Sequence, residues 1–361
     1  MNNIKKIGLT ALAGSLVSLG SASAGEMSVS GAINTTLVFG EQGIGNTSGR
    51  TIGTDRDVTF SGGGELDNGT TFSMSTTLTD AYAVSGSTTT ITTPSMGSFT
   101  LGASNGSASY AYDEEVPVAY EQVSDVITTT ANVIGNFMDN NHVMYTSPAM
   151  ELMGAGITAH LGYSPQASDG GAGDGSQASY SPTWGSGVEA GLTVTYEGLK
   201  VGVYGAEREA TTPNASTGQQ IGDEFNGAWY AKYTMGPVSI GYSETYLDGG
   251  ITANLENATA SVAERAGGGI FTGEQMSIAF NVNDNMSISY TTSDETYDTQ
   301  DDALTATTND DDVTETIDAI QVAYSMGGMS IKAYNMEVSN PNHDDNAPDQ
   351  SITEIALGFA F

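Results

Sequence analysis

The last eleven residues carry the pattern that most restricts how this chain can fold. Every second residue of the segment is apolar or β-branched: Thr353, Ile355, Leu357, Phe359 and Phe361. Side chains two positions apart point to the same face of a β-strand, so the segment predicts a strand with one apolar face. A final strand that pairs with the first in a closed barrel, and turns its apolar face to lipid, fits this pattern. We therefore expect a transmembrane β-barrel.

The amino-terminal end predicts export of the chain. Lys5 and Lys6 form a short basic region, residues 7–19 form an apolar core, and Ala22-Ser23-Ala24 is a cleavage-site pattern. This order is typical of a secretory signal peptide, so we assign residues 1–24 to a signal peptide and residues 25–361 to a single mature domain. No later apolar run reaches the ~18 residues that indicate a transmembrane helix, which leaves strands to cross a membrane.

The composition favours a strand-rich exported protein and excludes nucleic-acid binding. The chain has 43 acidic and 9 basic residues and a formal net charge of −34, whereas a surface that binds nucleic acid must be basic. There are no cysteines, so no disulfide stabilises the exported domain. Strong acidity also fits disorder, or a surface adapted to salty water. The sustained alternation of the sequence, with 17 Tyr and 10 Phe, argues against disorder.

Alternating segments recur along the mature chain and predict sixteen strands. Seven short turns join them into hairpins, one of them at Asp67-Asn68-Gly69, where Asn-Gly is a strong tight-turn signal. The turns alternate with eight long loops, near residues 40–55, 80–86, 104–141, 164–187, 207–226, 247–273, 298–314 and 339–350. Short periplasmic turns and long outer loops are typical of membrane barrels. We predict an all-β fold, a 16-stranded antiparallel transmembrane β-barrel.

Two soluble architectures also alternate apolar and polar residues. A β-solenoid shows a fixed repeat period, and the sequence has none. A β-sandwich has no reason to alternate short and long connections so regularly. The loop asymmetry therefore favours the barrel.

The signal peptide, the sixteen-strand count, the long third loop and the terminal Phe361 together resemble the general diffusion porins of Gram-negative outer membranes, especially the alphaproteobacterial type. The resemblance covers the whole mature chain. It implies a homotrimer in contact with outer-membrane lipid, and a water-filled channel for small hydrophilic solutes and ions. It also implies a third loop that folds into the barrel and narrows the pore, with acidic groups on the loop facing basic groups on the wall.

The third loop supplies acidic candidates for the pore constriction. It carries five carboxylates: Asp113, Glu114, Glu115, Glu121 and Asp125. Carboxylates at a water-filled constriction select cations by charge. The alternative is an exposed acidic loop without a role in the pore. The order and the length of the loop favour the constriction.

The basic wall that the family implies is sparse in this sequence. The candidates are Arg56, Lys200, Lys232 and Lys332. Lys200 and Lys232 alternate with apolar neighbours and should face the lumen, whereas Arg56 begins a predicted strand beside a loop. The neighbouring residues do not decide which face of its strand Lys332 occupies. A charge on the lipid face near the midplane costs about 2–4 kcal/mol, which favours the lumen. So few basic groups leave negative potential in the channel, which predicts cation preference.

The outer loops contain a second acidic feature. Asp310, Asp311 and Asp312 in the seventh loop offer oxygen ligands of the kind that calcium prefers, although EF-hand spacing is missing. A solvated acidic face explains the same residues, so calcium is the one cofactor hypothesis. The long acidic loops also leave an alternative function open, that of a barrel adhesin or structural outer-membrane protein whose loops bind a partner.

The histidines give no support to an enzyme. A hydrolytic site needs a nucleophile oriented by a base, and the only histidines are His142, His160 and His343. His142 and His160 lie in neighbouring segments, but no Gly-x-Ser-x-Gly nucleophile motif accompanies them. We therefore expect a passive channel rather than an enzyme.

Overall fold

A computed structural model describes most of the chain. The described residues are 27–42, 47–79, 83–104, 106–125, 138, 141–167, 184–210, 222–250, 270–298 and 312–361. The predicted signal peptide, residues 1–24, lies outside them, as do Asp310 and Asp311. Within this part of the chain, no helix is both long enough and apolar enough to span a membrane.

The described strands form one antiparallel sheet. They are β1 (Met27–Gln42), β2 (Thr47–Glu65), β3 (Thr71–Leu78), β4 (Val84–Thr93), β5 (Gly97–Ser104), β6 (His142–Thr146), β7 (Met150–Leu152), β8 (Ala155–Ser164), β9 (Trp184–Tyr196), β10 (Leu199–Ala210), β11 (Glu224–Met235), β12 (Val238–Asp248), β13 (Ile270–Asn283), β14 (Met286–Asp298), β15 (Val313–Met326), β16 (Met329–Ser339) and β17 (Gln350–Ala360). Short 3-10 helices occur at Ala108–Ala111, Val123–Asp125 and Pro341–His343.

Strands β6 and β7 are two pieces of one interrupted strand. Both pair with β8, β6 up to Thr146 opposite His160 and β7 from Met150 opposite Ile157. The sheet therefore has sixteen strand positions, and the prediction of a 16-stranded antiparallel barrel is confirmed.

The first and last strands close the barrel. β1 pairs with β2 on one side and with β17 on the other, from Ala32 opposite Ala360 to Glu41 opposite Ser351. Beyond these pairs, the Gly31 nitrogen donates to the Phe361 oxygen at 2.8 Å, and the Phe361 nitrogen donates back at 3.0 Å. Closure leaves no unpaired sheet edge, which the hydrocarbon core of a membrane requires. The pairing predicted from the last eleven residues is confirmed.

Burial alternates along the strands and separates the lumen from the outer face. In β17, Leu357 and Phe359 are exposed on the outside of the barrel, whereas Ile352 and Ala356 are buried inside it. The outer face is therefore apolar where lipid would cover it, as the period of two predicts.

The apolar outer band ends at aromatic side chains that bind carboxylates. Trp229 Nε1 donates to Glu244 at 2.8 Å, and the Tyr242 hydroxyl donates to the same carboxylate at 2.7 Å. The Tyr290 hydroxyl donates to Asp318 at 2.7 Å. Aromatic residues with a polar end favour a membrane interface, so these contacts mark the boundary on the side of the long loops.

The first two outer connections are shorter than the sequence predicts. β1 and β2 stay paired up to Gln42 opposite Thr47, so their connection is residues 43–46 and not 40–55. β3 ends at Leu78 and β4 begins at Val84, which also leaves a short connection. The glycines in this region indicate a loop, but a long two-stranded ladder satisfies the same backbone hydrogen-bonding groups.

Replacement of Gly40 by alanine is expected to weaken the closing seam. A Cβ there would press on the backbone carbonyl oxygen of Ser351 in β17, which cannot rotate away. Overpacking of this kind destabilises by about 1–3 kcal/mol, so the urea midpoint of Gly40→Ala in lipid vesicles, followed by tryptophan fluorescence, should fall. Gly53→Ala is the matched control, because its Cβ would meet only the movable Thr36 hydroxyl. Equal midpoints for both variants would contradict the expectation.

Candidate functional site: the third loop and its wall

The third loop, between β5 and β6, lies inside the barrel. Its inner segment, residues 106–125, packs Tyr112, Tyr120 and Val123 against the lumen side of the wall, where all three are buried. Tyr120 and Val123 join a cluster of lumen-facing side chains from β15, β16 and β17. The prediction that the third loop folds into the barrel is confirmed.

Glu189 of β9 holds the beginning of the inner segment. Its carboxylate accepts hydrogen bonds from the Ser107 hydroxyl at 2.7 Å, the Ala108 nitrogen at 2.9 Å and the Tyr204 hydroxyl at 2.9 Å. Ser107 in turn caps the 3-10 helix that follows. Sequence reasoning missed Glu189 as a functional residue, although its position in an alternating strand already indicates an inward side chain.

Glu115 is bound directly by two of the predicted wall residues. Its Oε2 atom lies 3.1 Å from Lys200 Nζ and 2.5 Å from Lys232 Nζ. The two lysines oppose each other on β10 and β11, so one carboxylate relieves the repulsion between them. Burial disfavours the charged carboxylate, but the lysines outweigh it and hold the pKa of Glu115 below its ordinary value. These acidic and basic groups therefore meet in contact and do not face each other across open water.

Glu114 is enclosed between the loop and β13. Its carboxyl accepts a hydrogen bond from Gln275 Nε2 at 2.5 Å and another from the Ser124 hydroxyl, and the side chain is buried. Burial, followed by the charge of Asp113, raises the pKa of Glu114 from 4.5 to about 8, against the opposing effect of its hydrogen bonds. At neutral pH this carboxyl is mostly protonated and adds little charge to the lumen.

The far end of the inner segment holds a pair of carboxyl groups. Burial, followed by the charge and the hydrogen bond of Asp125, raises the pKa of Glu121 to about 7, and Lys332 opposes this shift. The Lys332 ammonium lies on the lumen face, 4.8 Å from the centre of the Tyr120 ring. The charge of this end of the loop therefore changes near neutral pH.

Arg56 lies on the outer face of β2. Continuous register places Arg56 opposite Ile33 and Phe60 opposite Val29, and Phe60 and Val29 are exposed on the outside of the barrel. Arg56 is four positions from Phe60, so both side chains share that face. This register does not agree with the predicted lumen position of Arg56. β2 continues through the residues that the sequence predicts as a loop, and its alternation puts Arg56 on the same outer face as Phe60.

Strands β2 to β5, which lie across the lumen from β12, carry hydroxyl groups and carboxylates on their lumen face. The Thr59 and Thr77 hydroxyls lie 2.9 Å apart, and those of Thr90 and Thr100 lie 3.1 Å apart. Asp55 and Asp57 alternate with Arg56 and therefore share the face of Thr59. In the described strands β2 to β5, no lysine or arginine lies on the lumen face.

The remaining candidates concern metal binding and catalysis. Of the predicted calcium ligands, only Asp312 lies among the described residues, and these contain no group of three or more histidine and carboxylate side chains that could hold a metal ion. His160 Nδ1 lies 2.8 Å from the Tyr112 hydroxyl, and His142 is buried. The contact of His160 with Tyr112 helps to hold the loop.

Comparisons with known proteins agree with this architecture. A model of the Gram-negative porin family matches residues 8–249. The in-vitro folded OmpT of Vibrio cholerae aligns over 96% of this chain and 100% of its own, with 14% identity and a TM-score of 0.61. OmpF of Salmonella typhi, in complex with daunomycin, aligns over 93% of this chain and 97% of its own, with 12% identity and a TM-score of 0.65. The anion-selective porin of Comamonas acidovorans aligns over 93% of this chain and 100% of its own, with 12% identity and a TM-score of 0.60. No curated protein sequence matches significantly.

Proposed function

The chain belongs to the Gram-negative porin family, and from this premise we propose that it is a cation-preferring channel for small hydrophilic solutes and ions. Family and fold together indicate an outer-membrane protein through which solutes diffuse, without a catalytic step. The finer proposal concerns the charge of the lumen and the solutes that this charge admits.

The arrangement of the basic residues carries the proposal. Six lysines and arginines lie in the described part of the chain, and the alternation of the strands puts Arg50 and Arg56 on the outer face of the barrel. The other four face the lumen, each beside an acid. Lys200 and Lys232 share Glu115, and Arg208 binds Glu224 at 2.5 Å. The Lys332 ammonium is attracted electrostatically by the carboxylates of Glu121 and Glu354.

Acidic groups outnumber these bases on the surface that a passing ion meets. Asp113, Glu121 and Asp125 lie on the inner segment, and Asp55 and Asp57 lie on the wall across from it. Fixed negative charge around a water-filled constriction raises the local concentration of cations and lowers that of anions. The hydroxyl groups of β2 to β5 complete a polar lining for uncharged solutes.

A planar-bilayer measurement tests the proposal. With a potassium chloride gradient across the membrane, the reversal potential should have the sign of potassium preference, and the preference should weaken at high salt because mobile ions screen the fixed charges. A reversal potential with the sign of chloride preference would overturn it. Liposome swelling with sugars, amino acids and organic ions of graded size would then define the solutes.

Two properties implied by the family complete the proposal. Residues 1–24 are removed during export, and three mature chains assemble into a homotrimer. Amino-terminal sequencing of the membrane-inserted protein should begin at Gly25, and sedimentation in detergent should give the mass of three chains. A start elsewhere or a monomer mass would contradict the respective property.

A further inference from the structure

Gln321 of β15 binds the backbone of the inner segment with both ends of its amide. Its Oε1 atom accepts hydrogen bonds from the Tyr120 nitrogen at 2.8 Å and the Glu121 nitrogen at 3.1 Å. Its Nε2 atom donates to the Glu121 carbonyl oxygen at 2.7 Å. The side chain is 1% exposed, so water does not compete for these three bonds.

The chemistry of the amide explains why this residue type suits the position. Backbone groups of the wall strands are already paired with neighbouring strands, so the loop can be held only by side chains. The loop presents two donors and one acceptor here, and an amide is a side chain that offers acceptor and donor together. A carboxylate would accept but not donate, and an apolar side chain would leave all three backbone groups without a partner.

Neighbouring wall residues hold the same stretch more weakly. The Ser289 hydroxyl accepts from the Ala119 nitrogen at 2.9 Å, and the Ser277 hydroxyl donates to the Pro117 oxygen at 2.5 Å. Each serine makes one bond to the loop backbone, whereas Gln321 makes three. Gln321 is therefore the main attachment at the point where the loop reaches Tyr120 and Glu121.

Tyr120 and Glu121 determine where charged groups lie in the pore at this end of the loop. The Tyr120 hydroxyl donates to Glu354 at 2.6 Å, and its ring lies beside the Lys332 ammonium. Glu121 carries one carboxyl of the pair with Asp125. A shift of the backbone at these two residues would move a carboxyl and the ring that flanks a lysine at the same time.

We propose that Gln321 is the positioning residue of the pore constriction, which holds Glu121 and Tyr120 so that the carboxyl pair and Lys332 keep fixed places in the lumen. The inference rests on the proposed channel function for its electrical consequences. Its structural part, the attachment of the loop, can be tested independently of ion selectivity.

Three variants test the proposal in the intact, membrane-inserted protein. Gln321→Leu removes all three bonds. Gln321→Glu keeps the acceptors and regains a donor only when its carboxyl is protonated. Ser293→Ala is the control, because Ser293 is a buried lumen residue of β14 whose hydroxyl has no hydrogen-bond partner in the described structure, and its loss should leave the loop in place.

Hydrogen exchange at the Tyr120 and Glu121 amides is the first readout. Exchange should accelerate several-fold in Gln321→Leu and stay at the native rate in Ser293→Ala. Gln321→Glu keeps the acceptor for both amides and loses only the donor, so its exchange at pH 8 should lie between those of the native protein and Gln321→Leu, and should approach the native rate near pH 5, where the donor returns. The urea midpoint of the barrel should stay close to native in all three, which separates positioning from a general loss of stability.

Single-channel recording is the second readout. Gln321→Leu should raise open-channel current noise several-fold and shift the reversal potential, and Gln321→Glu should raise the noise to a smaller extent and only at high pH. Native exchange rates together with native noise in Gln321→Leu would overturn the proposal. A native channel that prefers anions would overturn the proposed function instead, while the exchange data would still decide the role of Gln321.

Discussion

Replacement of Glu121 and Asp125 by glutamine and asparagine should lower the cation-to-anion permeability ratio several-fold without closing the channel. The two carboxyls lie on the inner segment, where passing ions meet them. One unit charge about 4 Å from an ion contributes about 1 kcal/mol in water, or roughly a fivefold change in local ion concentration. Reversal potentials in a salt gradient would measure the ratio.

The same permeability ratio should depend on pH. The pKa of Glu121 is raised to about 7, so the group is neutral below that pH and charged above it. Cation preference of the native channel should therefore increase as pH rises from 6 to 8, and the double variant should lose most of this step and keep the part that Glu114 contributes. Glu337→Gln removes one charge from the outer face, where Glu337 is exposed, and should change neither property. A double variant with the native ratio would exclude the carboxyl pair as a selectivity determinant.

Replacement of Glu114 should change how firmly the inner segment is attached to the wall. Glu114→Ala loses the contacts with Gln275 and Ser124, so limited proteolysis within residues 106–125 should become several-fold faster. Glu114→Gln resembles the protonated acid in shape and charge and should keep the loop attached. Cleavage rates of both variants and of the native protein, followed by mass spectrometry, would measure the effect.

The native protein should also lose attachment of the loop as pH rises. The carboxyl of Glu114 has a pKa of about 8 when buried, compared with 4.5 for an ordinary glutamate, so the attached loop binds a proton more tightly than a released loop. Attachment is therefore strongest below pH 4.5, weakens as pH rises from 4.5 to about 8, and changes little above that. Cleavage should accelerate over this range in the native protein and less steeply in Glu114→Gln, where Glu121 is the remaining carboxyl group of the inner segment with a raised pKa. A native profile that is flat over the same range would contradict the burial of an ionisable group here.

Local pattern was enough to predict the barrel. Alternation of side chains has a period of two in any strand, so Leu357 and Phe359 could be assigned to the outer face without knowledge of their partners. Closure through β1 and β17 followed from the same pattern, because lipid offers no hydrogen bonds to an open edge. The third loop could be located by its order and length, and its carboxylates were visible in the sequence.

Only the tertiary structure decided what each of those charges does. The contacts that place Glu115 between two lysines, bind Glu114 to Gln275 and attach Tyr120 and Glu121 to Gln321 join residues between 85 and 201 positions apart. Such contacts leave no periodic signal in a single sequence. Arg56 departed from prediction because composition indicated a loop up to this residue, whereas the ladder of β1 and β2 continues through it and keeps Arg56 on the outer face with Phe60. Alternation along a strand is a local property that residues determine by themselves, whereas the path of a loop through the lumen depends on which distant wall groups it reaches.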